Sequence, residues 1–346
     1  MKKILLVFTG GTIGSKSHGG ITNVDDTAKY RLIEKYYDRF GQKAEFDCIQ
    51  PLNILSENLN LTHWQTLYDA VCEKLRDNHE YCGIIIAHGS DTLAYTTAAM
   101  SFLLCGIKIP VLLIAADRQI DDERSNGTAN FAAAVDFINN AALPGTFAIY
   151  RDKNGKMPVY LGTRLLPADD TDRFHAYRDL TFGEMINGEL VQNNAIGNPT
   201  AAELTAKADG ARKSAVHFCK NVLCLSPHPS LDYSGIMPNP QKTAAVLHSL
   251  YHSSTACTSD GDYSLIRFAN RLKSQKIALY LLGAGHFGDE SVYETANELR
   301  GCGAVPLYDI SQPAAFAKLC IAHNQSDIEP SRFVRENIFF EYAPMR

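Results

Sequence analysis

The stretch "TGGTIGS", residues 9–15, follows directly on the apolar run "ILLVF" of residues 4–8. A buried strand that leaves through two glycines is making a tight turn, because glycine reaches positive φ without steric cost. A turn needs no hydroxyl, yet Thr12 stands on its far side. On this motif alone three readings stay open. The glycines present Thr12 as a nucleophile, they cradle a phosphate as glycines after a first strand often do, or they make a plain turn. The stretch is neither G-x-G-x-x-G nor a P-loop with its lysine.

Outward from this turn, short apolar runs alternate with longer helical ones. "AEFDCIQ" (44–50), "GIIIAHG" (83–89) and "IPVLLIAA" (109–116) read as strands. The continuous apolar character of 83–89 is that of a strand buried on both faces of a parallel sheet. Between them, "RLIEKYYDRF" (31–40), "LTHWQTLYDAVCEKLRD" (61–77), "TLAYTTAAMSFLL" (92–104) and "GTANFAAAVDFINNA" (127–141) have helical spacing. Trp64, Leu67, Val71 and Leu75 share one face of the second, and Thr62 offers it a cap. "GTFAIYRD" and "MPVYLGTRLL" read as a hairpin about "KNG". The alternation predicts an α/β fold: a doubly wound, mainly parallel sheet in an N-terminal domain over residues 1–190. Residues 191–214 are small and polar and read as a linker. A smaller α/β domain over 215–346 follows, with strands at "VLCLS", "TAAVLHSL", "KIALYLLG" and "AVPLYD".

Composition excludes several classes of function. The chain has 346 residues, 45% hydrophobic and 21% charged, with a net charge of −5 and no basic cluster, so no nucleic-acid partner is expected. No apolar run reaches membrane-spanning length, and "MKKILLVF" runs into the glycine turn without a cleavage site, so a cytoplasmic protein is expected. The nine cysteines form no C-x-x-C pair, and the histidines show no ligand spacing; neither a disulfide framework nor a metal site is expected. Cys82, Cys105, Cys219 and Cys224 read as buried thiols.

Reactive groups in α/β sheets gather beyond the carboxyl ends of strands. Those ends carry Gly10, Gly11 and Thr12, then Ser56 and Glu57, then "HGSDT" with Ser90, Asp91 and Thr92, and finally Ala115, Ala116 and Asp117. Ser90 or Asp91 caps the helix from Thr92, or the two form a hydroxyl–carboxylate pair that activates water or binds substrate. His88 reads equally as a general base or a structural histidine. "AADRQIDDERSNG" (115–127) reads mostly as a solvated loop with ion pairs of little net worth.

Taken together, "TGGTIG" at 9–14 and "HGSDTLAYTTAAMSF" at 88–102 resemble the bacterial-type L-asparaginases, threonine amidohydrolases of the asparaginase/glutaminase fold. "NILSENLNLTHWQTL" (53–67) and "DDERSNGTANFAAAV" (121–135) are similar to further segments of that family. The resemblance implies hydrolysis of the side-chain amide of asparagine, or of a related small amide, to carboxylate and ammonia through an acyl-enzyme. It implies Thr12 as nucleophile, Ser90 and Asp91 as its catalytic partners, and Gly11, Ser56, Glu57, Gly89 and Ala116 around the substrate. It implies no cofactor, and a homo-oligomer, dimer or tetramer. Two departures stand out. The family's lysine in G-x-R-x-x-K falls on Pro167 of "GTRLLP" (162–167), and no tyrosine lies between Thr12 and Asp26. Lys153, Lys156 or Arg164 could supply the missing cation; otherwise the substrate is a different amide, or the role is non-catalytic amino-acid binding.

Overall fold

The computed structural model describes residues 1–11, 15–18, 21–24, 28–77, 80–210, 215–283 and 293–343, with the backbone alone at 15–18, 21–24, 28 and 29. The chain divides into two compact units, Met1–Ser214 with Ile338–Phe340, and Ala215–Asn337 with Glu341–Met345.

In the first unit the elements run β1 (Lys3–Phe8), β2 (Ser15–His18), β3 (Ile21–Val24), α1 (Ala28–Phe40), β4 (Glu45–Ile49), α2 (Leu61–Asp77), β5 (Tyr81–Ala87), α3 (Leu93–Leu103), β6 (Pro110–Ile114), α4 (Gly127–Asp136), β7 (Gly145–Ile149), β8 (Pro158–Leu161), β9 (Gly183–Ile186), β10 (Glu189–Gln192) and α5 (Ala201–Gly210). Eight strands form one sheet in the order β10-β9-β8-β7-β6-β5-β1-β4. Pairs from β4 through β7 are parallel. Pairs from β7 through β10 are antiparallel, so the expected α/β sheet is a mixed one. β1, β5 and β6 carry unbroken apolar runs because the interior of this sheet is covered on both faces.

The order of the strands positions the site. From β1 the chain moves outward to β4, then returns past β1 to β5 and continues the other way through β6 and β7. The crevice between the tips of β1 and β5 is therefore the topological switch point, where ligands bind in open α/β sheets. α2 packs Trp64, Leu67 and Val71 inward, and the Trp64 indole N–H donates to Thr96 Oγ1 of α3 at 3.1 Å. Its start is capped by Asn60, not Thr62. Asn60 Oδ1 accepts from the His63 N–H at 3.2 Å while His63 Nδ1 accepts from the Asn60 N–H at 3.2 Å. Thr62 donates its hydroxyl to the same Asn60 oxygen.

Residues 211–214 of the segment expected as a linker over 191–214 lie outside the described residues, and 191–210 differ from a linker. They hold the end of β10 and all of α5, which buries Leu204 and Ala208. The small residues of "AAELTAKADG" that suggest a linker are also good helix formers.

The second unit has β11 (Asn221–Leu225), β12 (Thr243–Ser249), α6 (Leu265–Ser274), β13 (Ala278–Leu282), α7 (Glu294–Gly301), β14 (Val305–Leu307), α8 (Gln312–Ala322) and α9 (Pro330–Arg335). Its four strands pair in parallel in sequence order. α6 lays Leu265, Phe268 and Leu272 against Val246, Leu279 and Leu281 of that sheet. Of the cysteines expected to be buried, Cys105 is, Cys82 and Cys224 are half-buried, and Cys219 is exposed in the segment before β11.

Candidate functional site

The tips of β4, β1, β5 and β6 lie side by side at one edge of the sheet. The chain after β1 is stitched to both neighbours. The Thr9 N–H and Thr9 Oγ1 both donate to the Ala87 carbonyl, each at 3.1 Å. On the other side the Ile54 N–H donates to the Thr9 carbonyl at 3.0 Å, and the Gly11 N–H donates to the Ile54 carbonyl at 2.9 Å. The His88 N–H continues the ladder to the Ile114 carbonyl at 2.8 Å.

Two glycines make the crevice as narrow as it is. Gly11 has φ +76°, and a Cβ placed on it would lie 2.6 Å from Gly89 Cα and 2.7 Å from Gly89 N. A Cβ on Gly89 would lie 2.6 Å from Ser56 Cβ. Gly11, Gly89 and Ser56, which are far apart in sequence, are thus in direct contact. Ser56 is buried, and its carbonyl accepts from Thr92 Oγ1 at 3.0 Å, tying the segment after β4 to the start of α3. Glu57 and Asp91 are exposed, and Ser90 is half-buried. Asp91 stands one residue before the cap of α3, where a carboxylate meets the positive end of the helix. The cap is Thr92 rather than Ser90 or Asp91, and its own side chain makes no capping hydrogen bond. Ala116 is buried at the tip of β6. Thr12 lies outside the described residues.

His88 is fully buried. Its Nδ1 donates to the Gly89 carbonyl at 2.8 Å, which fixes the tautomer, and its Nε2 is buried with no hydrogen-bond partner among the described residues. Burial pushes its pKa down to about 4, a shift the Gly89 carbonyl partly opposes. The ring is therefore neutral and holds the Gly89 peptide. Between about 6.5 and about 4 the unfolded chain binds a proton that the native ring does not, so stability falls as pH falls through that window, by about 1.4 kcal/mol per pH unit for each such group. A pH series of melting temperatures of the first unit's transition is expected to show this loss, and His88→Gln to flatten it. An unchanged slope in the variant would show that His88 titrates normally.

The cations nominated to replace the lysine have other surroundings. Arg164 is buried and donates from Nε to the Phe340 carbonyl at 3.1 Å and from Nη1 to Asn198 Oδ1 at 3.0 Å. Lys153 faces Asp172 at 3.9 Å. Lys156 is exposed in the turn between β7 and β8. Pro167 is exposed beside Leu166, whose N–H donates to the His175 carbonyl. Among the described residues no group of three or more histidines, cysteines or carboxylates could hold a metal ion. None of the described helices is long and apolar enough to cross a membrane.

The loop after β6 holds residues that sequence reasoning misses. Its surface does carry ion pairs, Arg124–Asp122 at 2.7 Å and, from α1, Arg31–Asp121 at 3.5 Å. Beneath them lie Asn126 and Asn130, both buried. The visible signal is Asn130 itself, an asparagine inside the apolar helical run "NFAAAV", where its propensity is poor and a specific partner is the usual reason.

Comparison with known proteins agrees with this fold. A family model described as the N-terminal part of asparaginase matches residues 3–199. The chain is 25% identical over 368 residues to a component of the glutamyl-tRNA(Gln) amidotransferase of Methanococcus maripaludis, covering 99% of this chain and 81% of that protein. It superposes on the thermostable L-asparaginase from Thermococcus kodakarensis with a TM-score of 0.79 at 22% identity, covering 99% of this chain and all of that one. L-asparaginase I from Vibrio cholerae gives a TM-score of 0.78 at 18% identity over 99% of both chains. At these identities the superpositions speak for the fold.

Proposed function

This chain belongs to the asparaginase family, and we propose that it hydrolyses the side-chain amide of asparagine or of a related small amide, through a Thr12 acyl-enzyme. The observation that carries the reading is the meeting of the Gly11 and Gly89 loops beside Ser56 at the switch point. In this reading the Thr12 oxygen attacks the amide carbon and its proton ends on the departing ammonia. Water then cleaves the ester and frees Thr12 and the carboxylate product. Ser90 assists proton movement, and Asp91 and Glu57 receive the substrate amino group. Ser56 receives the carboxylate, and Gly11, Gly89 and Ala116 line the amide. No metal or organic cofactor enters this scheme. The chain acts in the cytoplasm as a homo-oligomer, a dimer or tetramer, and a monomer by size measurement would contradict that part.

A second reading keeps the pocket without ordinary turnover. It is favoured by Pro167 at the family lysine's place and by the commitment of Arg164 to Phe340 and Asn198. The amidotransferase relative also makes glutamine a natural second substrate to assay. Ammonia release from asparagine, glutamine and their D-forms decides between the readings, with Thr12→Ala as control. Release by wild type and none by Thr12→Ala is the expected result. Calorimetric binding of aspartate with no release from any amide would favour the second reading.

A further inference from the structure

The Ala116 peptides are held by a lattice of side chains from the start of α4. Asn130 Nδ2 donates to the Ala115 carbonyl at 2.9 Å, while Asn130 Oδ1 accepts from the Arg151 N–H at 2.7 Å. Asn126 Oδ1 accepts from the Asp117 N–H at 3.0 Å, and Asn126 Nδ2 donates to the Arg151 carbonyl at 3.1 Å. Asp117 Oδ1 in return accepts from the Asn126 N–H at 2.9 Å. Both asparagines thus bridge the tip of β6 to the same residue, Arg151, just beyond the tip of β7. Between them sits Gly127, where a Cβ would lie 2.9 Å from Ala116 Cβ. The helix start is pressed directly on Ala116.

The lattice uses the carbonyl of Ala115 and the N–H of Asp117, and none of Ala116's own polar atoms. The consequence is geometric. The peptides here are trans, so the C=O and N–H of one peptide point in opposite directions. Pinning the Ala115 carbonyl on Asn130 aims the Ala116 N–H the other way. Pinning the Asp117 N–H on Asn126 does the same for the Ala116 carbonyl. Two buried side chains thus set the direction of both hydrogen-bonding groups of Ala116, a residue assigned to the substrate amide.

We propose that Asn126 and Asn130 are positioning residues that aim the Ala116 backbone at the reacting amide. This rests on the amidohydrolase reading above. Groups preorganised where charge develops in the transition state act on turnover more than on ground-state binding. Binding itself is assigned to Ser56, Glu57 and Asp91 on other strand tips.

The test compares Asn126→Ser and Asn130→Ala with Leu161→Ala, a core truncation in β8 outside the site. Each is measured for kcat and KM of ammonia release, melting temperature, and hydrogen exchange of residues 115–118. Both asparagine variants are expected to lose at least tenfold in kcat with KM within about threefold of wild type, as displaced catalytic groups do. Exchange at 115–118 is expected to rise. Leu161→Ala is expected to melt earlier with kcat and local exchange unchanged. If Asn130→Ala does not fold, Asn126→Ser carries the test alone. Unchanged kcat in the asparagine variants, or a loss matched by Leu161→Ala, overturns the proposal. So does unchanged exchange at 115–118, which is read whether or not the protein is active. A wild type that releases no ammonia from any amide sinks the parent reading instead.

Discussion

Gly11→Ala is expected to destabilise the first unit by about 2–5 kcal/mol and to slow amide hydrolysis on the order of 10²-fold. Two effects add. An alanine held at φ +76° costs roughly 1–2 kcal/mol, since its Cβ crowds the following carbonyl. The larger effect is overpacking. The new methyl would sit 2.6 Å from Gly89 Cα and 2.7 Å from Gly89 N, and neither is the end of a flexible side chain. One of two backbones must move, at typically about 1–3 kcal/mol. The Gly89 loop is held by the His88 ring, and the Gly11 loop by the Ile54 ladder, so neither yields freely. A shift of about 1 Å between catalytic loops costs on the order of 10²-fold in rate, and here both loops lie within the proposed site. Gly41→Ala is the matched control. Gly41 has φ +75° but nothing within 4 Å of an added Cβ, so only the conformational cost remains. Urea melts and ammonia release on the two variants separate strain from collision. A Gly11→Ala protein as stable and as active as Gly41→Ala would show that the β1 and β5 loops do not meet.

The same contact explains how much of the site is legible in the sequence. The turn, the hydroxyls and the carboxylates are visible because each sits at the end of an apolar run, and strand ends are local events. What joins them is the strand order, with β1 between β5 and β4. That order is fixed by side-chain packing over many residues and leaves no mark near Gly11 or Gly89. Helix α2 is readable to its last residue because its apolar face repeats for four turns. Its cap is harder to read because Asn60 and Thr62 are both capping residues and share one hydrogen bond. The β9–β10 hairpin carries its signal at Asn187-Gly188, whose φ values of 51° and 83° suit a two-residue turn. Its flanking strands alternate weakly, so the pair is lost among the polar residues after it. Asn126 looks like loop polarity, and Asn130 is a polar residue in an apolar helix with no visible partner, until Arg151, beyond β7, is seen to join them.

Lys318→Met is expected to cost about 3–5 kcal/mol, the largest single effect in the second unit. Lys318 is an interior residue of α8, only 1% exposed, in a largely apolar helix rich in alanine. Its ammonium donates to the Glu341 carboxylate, to the Glu336 carbonyl, and to the Tyr342 hydroxyl at 3.1 Å. An ammonium has three donors, and all three are used. The Tyr342 ring lies 4.5 Å from it and the Phe333 ring 5.9 Å, which adds cation–π attraction in a buried site. Tyr342 donates its own hydroxyl proton to the Val334 carbonyl. The knot thus fastens Glu341 and Tyr342 to α8 and α9. Removing the lysine takes from Glu341, fully buried, the ammonium that its carboxylate faces. That penalty, rather than the worth of the pair, is what the single variant measures. Lys318→Met combined with Glu341→Gln is therefore expected to be the more stable of the two proteins, although it lacks both charges. For a unit of this size each kcal/mol moves the melting temperature by a few °C, so both differences are readable by calorimetry. A single variant that melts with wild type would mean that water reaches the carboxylate and that the pair is no more than a surface contact. A double variant no better than the single one would place the stabilisation in the carbonyl and hydroxyl bonds instead of the charge pair.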